Sequence, residues 1–405
     1  MAVSNEKIYT GAMRIVQITA RIVHVPLRRE VKHASATRRA SSNLLVCCRL
    51  ADGSEGWGEG VPREYVTGET PAGAMAQLAA TPLAEQLAGD PGTWPEVLAL
   101  CERFRPAAMG PDPRGCYGNA LRCALELSIL DAYGRLFREP LSAVTKHFPP
   151  ARPVWAEQDR VRYSTAITAQ SPAAERLNAL KMRLYGFAQC KVKVGLLGVD
   201  DGPRLRVLRR WIGRTIDLRL DANEAWHAAE VLGKIQPLLA AGISCIEQPV
   251  PHAEVEVLAD LRRQIQVPLM LDESLTSLAD AETAIRLGTC DLFNIRLSKC
   301  GGFLASLRLA ALAHQAGLGY QLGCHPGETG ILSAAGRHWA ASVAAVRYLE
   351  GSYDRHLLAE LLTQQDVTFG YGGWAPALPG PGLGVTIDPV VLQEWTERQE
   401  TYPLG

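Results

Sequence analysis

The chain has 405 residues, which suits two domains better than one. Hydrophobic residues make up 47% of it, enough for a sizeable core, and 42 basic residues balance 42 acidic ones. Neutrality argues against a nucleic acid or an anionic membrane surface as partner, since both favour a basic excess. The basic run Leu27–Arg39 is local and reads as solvated surface.

No run of 18 apolar residues occurs, so no transmembrane helix is expected. The N-terminus lacks the basic region and apolar block of a signal peptide, and the expected location is cytoplasmic. The ten cysteines are scattered, with no CxxC pair and no Cys/His cluster of zinc spacing. Several lie in apolar runs such as "LLVCCRL" and read as buried reduced thiols.

Residues 13–60 alternate apolar and polar positions around the turn "DGSEG", which predicts a three-stranded antiparallel sheet. Residues 70–145 are rich in Ala and Leu at helical spacing. Asn119–Phe137 repeats apolar residues at i, i+3, i+4 and i+7 and predicts a helix. From about residue 152, short apolar runs alternate with helical segments. The runs are 188–194, 215–221, 243–247, 267–272, 291–296, 319–323 and 346–350, with "RYSTAI" (162–167) as a first strand. Alternation at about 25 residues predicts parallel βα units closed into a barrel. The alternative, an open doubly wound sheet, usually carries a Gly-rich phosphate loop, and neither GxGxxG nor GxxxxGK[ST] occurs.

Three of these runs end in a carboxylate, at Asp221, Glu247 and Asp272, with steps of 26 and 25 residues. The C-terminal strand ends of a barrel converge on one face, so the three acids come together there. One such acid alone would read as a helix cap. Three crowded carboxylates need a cation, and hard oxygen donors select Mg2+, with Mn2+ as a substitute. "KVKVG" places Lys191 and Lys193 on one face of the preceding strand. Two ammonium groups beside a divalent ion depress each other's pKa, so such a lysine can take a proton near neutral pH. Together these groups suit removal of the proton α to a substrate carboxylate. The two-lysine pattern disfavours a Schiff-base aldolase, which needs one isolated desolvated lysine.

The ordered set "KVKVG", "DANEAW", "EQP", "DES" and "NIRLSKCGG" resembles the enolase superfamily in its muconate-lactonizing (muconate cycloisomerase) subgroup, within the mandelate racemase/muconate lactonizing enzyme family. "GWGEGVPREYVTGE" (Gly56–Glu69) resembles its capping-domain loop, and Pro379–Pro389 its returning C-terminal segment. The resemblance implies an α/β fold: a modified TIM barrel, (β/α)7β, with an α+β N-terminal capping domain completed by the C-terminal tail. The expected divisions are 1–148, 149–372 and 373–405. It implies Asp221, Glu247 and Asp272 as Mg2+ ligands and Lys193 as the acid/base. Lys191 would tune it, Asn223 and Glu273 would support the ligands, and Glu350 would support the substrate carboxylate. His33, Tyr65 and Thr67 fall in stretches resembling the substrate loops. The implied partner is a small carboxylate substrate, and a homo-oligomer is the expected assembly.

Two departures bear on the reaction. The subgroup's sixth-strand lysine stands 24 residues after the third ligand, where this chain has Arg296. Parity puts Asn294 and Arg296 on one face, and assigns Lys299, next to the Gly-Gly turn, a place outside the pocket. An arginine stays protonated and is a poor proton carrier. This favours one-face chemistry by Lys193, as in β-elimination, acid dehydration or cycloisomerisation. The alternatives are a racemase or epimerase of an amino-acid derivative or dipeptide, with Lys299 or His325 as second base, and a non-catalytic metal- and carboxylate-binding relative. The second departure is His325 in "GCHPGETG", where the subgroup has an apolar residue. It would either protonate a leaving group or cap the Pro-Gly turn.

Overall fold

The computed structural model describes residues 13–32, 37–168 and 171–404. The N-terminal region is an antiparallel sheet of β1 (Ile15–Lys32), β2 (Thr37–Leu50) and β3 (Glu55–Gly60). Ile18, Ala20 and Ile22 alternate into the core of β1. Asp52 closes the β2–β3 turn by accepting from the backbone N–H of Ser54 at 2.9 Å. The helix Asn119–Phe137 lies directly on β3. Alternate glycines make that approach possible: a Cβ at Gly56, Gly58 or Gly60 would lie 1.9–2.1 Å from the helix backbone. Gly56–Gly60 is therefore strand, and the loop expected over Gly56–Glu69 begins after it.

The sheet has four strands, not the three expected from residues 13–60. The chain's end returns as the strand Thr396–Pro403 and pairs with β1 from Gln17↔Pro403 to Val23↔Thr396.

Seven parallel strands form the second sheet: β5 (Thr165–Ile167), β6 (Gln189–Lys193), β7 (Asp217–Asp221), β8 (Cys245–Glu247), β9 (Leu269–Leu271), β10 (Leu292–Ile295) and β11 (Gly319–Leu322), each beside the next. The eighth run closes the ring. Leu349 bridges Leu322 in parallel, Glu350 N donates to Leu322 O at 2.8 Å, and Ser164 N donates to Leu349 O at 2.7 Å. The expected first strand is split. Arg160–Arg162 (β4) leaves the ring to pair with Trp374–Pro376 (β12), and Thr165–Ile167 alone enters it. With strand Thr396–Pro403 as β13, the strands number thirteen among the described residues.

Long helices cover the outside at Pro172–Leu184, Asp201–Ile212, Leu278–Leu287, Phe303–Gln315 and Gly330–Ser342. Ser171, Asp200, Ser277 and Thr329 cap four of them by accepting backbone N–H groups. The segments after β7 and β8 were expected as long helices and are short helical and 3-10 turns. Gly233 and Pro237 interrupt the first, and Val255 and Val257 weaken the second. Among the described residues no helix is long and apolar enough to cross a membrane.

Candidate active site

Parallel register sets the acids. Asp221 ends β7 and faces Lys193 of β6 and Glu247 of β8 in the ladder, and Asp272 follows β9 by one residue. The three carboxylates are buried, at 2%, 0% and 1% exposure. Asn223, Glu224 and Gln248 take φ of 44°, 64° and 38° in the loops after β7 and β8. Such left-handed backbone at non-glycine residues stores strain and concentrates at functional sites.

The acids are turned toward basic groups. Lys191 Nζ lies 3.3 Å from Asp221 Oδ2, 3.3 Å from Glu247 Oε2 and 2.8 Å from Glu350 Oε1. Burial lowers its pKa, but Glu247, Glu350 and Asp221 outweigh burial and hold it well above the ordinary lysine value. Without a cation among them, three carboxylates face Lys191 and act on it opposite to the depression expected beside a divalent ion. Lys193 is half-buried, and among the described residues its ammonium makes no ion pair or hydrogen bond.

Arg296 bonds Asp272 and lies 3.9 Å from Glu247 Oε1. Burial works against its charge, yet Asp272, Glu273 and Glu247 raise its pKa further, so it carries no proton between groups. Lys299 corrects the expectation from parity. Expected outside the pocket, it is buried with Nζ 2.8 Å from Asp272 Oδ1 and 2.6 Å from Asp272 O. The chain leaves strand geometry after Ile295, and residues 296–301 form a turn that folds Lys299 back. Both basic residues of "NIRLSK" thus meet Asp272.

His325 follows β11 and is 2% exposed. Its backbone N–H donates to Glu328 Oε1 at 2.7 Å, but neither ring nitrogen has a partner among the described residues, so the imidazole does not cap the turn. Burial, then the charges of Arg296 and Arg63, pushes its pKa well below the usual value and leaves it neutral. Glu350 closes the eighth run. Burial raises it, but Lys191 and Arg219 together bring it down to about 2. Asn223 Nδ2 contacts Glu273 Oε1 at 3.4 Å. Tyr65 is half-buried in the loop after β3. The Thr67 hydroxyl donates to Glu69 Oε2 at 2.6 Å, within the N-terminal region. His33 lies outside the described residues.

Three residues with direct contacts here carry no role in the sequence reading, although parity already sets Asn294 on the face of Arg296. Arg219, two before Asp221 on the same strand face, pairs with Glu350 and stacks 4.6 Å over Tyr348. Asn294, two before Arg296, donates Nδ2 to Glu247 Oε1 at 2.7 Å. Gln248 Oε1 accepts from Asp272 N at 2.9 Å and fixes that strand end. Parity from Asp221 could have found the first, and parity from Arg296 places the second without showing its partner. The third needs the loop conformation.

Among the described residues no group of three or more His, Cys, Asp or Glu side chains closes into a metal cage. Lys191, Arg296 and Lys299 engage the oxygens instead. The donor chemistry still fits a hard divalent cation. Burial lifts Glu247 to about 8, and Asp221, Glu350 and Asp272 add to it against Lys191. Burial thus disfavours the charged form of Glu247, which a bound cation would stabilise. Asp221, Glu247 and Asp272 are the residues that would hold Mg2+.

The chain is similar to known proteins over most of its length. Residues 174–391 match the family model "Enolase C-terminal domain-like". The chain is 32% identical to the L-Lys-D/L-Arg epimerase of Methylococcus capsulatus over 348 residues, 84% of this chain and 91% of that protein. It is 28% identical to muconate cycloisomerase 1 of Rhodococcus opacus over 400 residues, 95% and 99% of the two chains. The solved dipeptide epimerase of Enterococcus faecalis, complexed with Mg and L-Leu-L-Tyr, superposes with a TM-score of 0.78 at 25% identity, covering 92% of this chain and 100% of that one.

Proposed function

We propose a reaction from one premise: the chain belongs to the enolase superfamily, in the subgroup that contains the muconate-lactonizing enzymes. The reaction is epimerisation or racemisation at the carbon α to a carboxylate, in a dipeptide or N-acylated amino acid. Epimerases and racemases of such compounds stand beside the cycloisomerases among its relatives, which reverses the preference for one-face chemistry read from Arg296.

One observation carries the reading. Lys191, Arg296 and Lys299 are engaged by carboxylates, whereas among the described residues the Lys193 ammonium and the His325 ring have no partners. They come from the second and seventh strands of the ring, so a substrate over the barrel mouth meets them from different sides. Neutral His325 takes the α-proton from one face and becomes imidazolium while the Lys193 ammonium delivers a proton to the other face, and the opposite epimer reacts by the reverse pair of transfers. Asp221, Glu247 and Asp272 would hold a divalent cation, which when bound would supply positive charge against the negative charge that develops on the substrate carboxylate. Lys191 and Arg296 hold the acids in place and add fixed positive charge.

A second reading, cycloisomerisation or elimination from one face, is favoured by Arg296, which takes the sixth-strand position without being able to transfer a proton. Incubating the protein with Mg2+ and a panel of dipeptides, N-acyl amino acids, acid sugars and muconate-type lactones, followed by chiral chromatography, separates the two. Epimers from an amino-acid derivative support the first. Turnover confined to lactones or acid sugars supports the second.

A further inference from the structure

Two fully buried glutamates of the N-terminal region take no part in the proposed chemistry, and each reaches into the barrel. Glu126, on the helix Asn119–Phe137, accepts from Phe303 N at 2.6 Å and Leu304 N at 3.0 Å. Those are the first N–H groups of the helix Phe303–Gln315, whose own N-cap, Gly302, has no side chain to offer. A Cβ at Gly302 would lie 2.5 Å from Glu126 Oε1, so the glycine makes room for the foreign carboxylate. The same turn is gripped twice more. Asn119 Nδ2 donates to Lys299 O at 2.7 Å, and Val61 N donates to Ser298 Oγ at 2.7 Å.

Glu59, at the end of β3, does the same one strand further on. It accepts from Thr329 N at 3.0 Å, Thr329 Oγ1 at 2.8 Å and Leu332 N at 3.1 Å, at the start of the helix Gly330–Ser342. Asn43 donates to Gly327 O at 2.8 Å, and Arg63 donates to Pro326 O at 3.0 Å. A carboxyl oxygen at a helix N-terminus meets backbone donors that the helix itself leaves unsatisfied.

We propose that Glu126 and Glu59 are positioning residues for the barrel site: each caps a barrel helix from the N-terminal region and thereby fixes the turn carrying Lys299 or His325. The inference rests on the reading that those two turns border the reactive face. It makes attachment of the N-terminal region a condition for the geometry around Asp272, and not merely a cover over it.

The test uses the full chain as Glu126→Leu, Glu126→Gln and Glu59→Gln. Leu removes the acceptor and keeps the bulk, whereas Gln at 126 keeps one oxygen for both N–H groups. Amide hydrogen exchange of residues 297–306 and 324–334 is followed, together with Mn2+ affinity by titration calorimetry. In Glu126→Leu, exchange over 297–306 should rise at least roughly tenfold. Mn2+ should bind several-fold more weakly, because Lys299 no longer holds Asp272. Exchange over 324–334 should stay unchanged. Glu126→Gln should restore most of both effects, and Glu59→Gln should loosen 324–334 instead. Unchanged exchange, acceleration spread evenly over the barrel, or unaltered Mn2+ affinity beside a loosened turn would overturn the proposal. If Glu126→Leu does not fold, Glu126→Asp, whose shorter side chain draws the acceptor away from both N–H groups, takes its place with the same expectations. Neither readout needs substrate, so failure of the epimerase reading leaves this test intact.

Discussion

Lys299 and Asp272 form a buried ion pair, Nζ to Oδ1 at 2.8 Å, and the same ammonium donates to Asn294 O at 2.9 Å. One lysine thus ties the sixth strand to the carboxylate that follows the fifth. Removing it strips Asp272 of one of two basic partners and takes a donor away from two backbone carbonyls. Lys299→Met is expected to cost about 3–5 kcal/mol of folding stability, the range for breaking a buried pair. Urea denaturation measures it, and a loss under about 1 kcal/mol would show that the pair is not a structural tie.

The two lysines of β6 should separate function from stability. Lys193 has no partner among the described residues, so Lys193→Ala should change stability by no more than about 0.5 kcal/mol. It should lower turnover by about 100- to 10,000-fold, the usual worth of a general base. Lys191→Met leaves Asp221, Glu247 and Glu350 facing one another. It should destabilise the chain in chelator and less so in Mg2+, which thermal melts of both variants in each condition will show.

Metal should report on the acids directly. Saturating Mg2+ at about 100 times its dissociation constant should add about 2.7 kcal/mol of stability. Glu247→Gln should abolish that gain. A melting point indifferent to Mg2+ and to chelator would contradict the assignment of Asp221, Glu247 and Asp272.

The pH dependence of stability follows from the buried glutamates. Burial lifts Glu59, Glu69 and Glu126 to about 7, against hydrogen bonds that pull them down. The fold therefore holds their protons more tightly than the unfolded chain does. Their contribution is complete below the unfolded value of 4.5 and is lost as pH rises through 7. Glu350 runs the other way. At about 2, its contribution is present above 4.5 and lost as pH falls toward 2. Calorimetry in metal-free buffer should find the highest melting point near about pH 5 and a decline toward about pH 8, since a tenfold difference in proton affinity between folded and unfolded chain is worth about 1.4 kcal/mol per group. A melting point that climbs from about pH 5 to about pH 8 would contradict this.

The barrel strands and their terminal acids were legible because strands buried on both faces read as short apolar runs, and their ends share one face. Arg296 could be placed by the same parity. Lys299 could not, since strand periodicity stops at Ile295 and the following turn obeys no two-residue rule. The strand Thr396–Pro403 was hidden because its partner, β1, lies at the other end of the chain. Glu59 and Glu126 read locally as residues of a strand and a helix. Their acceptor role appears only when distant helix starts are brought against them. Arg219 and Asn294 were within reach of strand parity, whose clearest signal lies at the strand ends alone.

The most direct test of the account is isotope exchange in D2O, in Mg2+, on an epimerised substrate identified by the panel. The wild-type chain is predicted to deposit deuterium at the α-carbon of both epimers. Lys193→Ala should lose exchange from the face served by Lys193, and with it inversion. His325→Asn should keep exchange from the face served by Lys193 while losing inversion. Full inversion in His325→Asn, or deuterium uptake unimpaired in Lys193→Ala, would contradict the two-group mechanism.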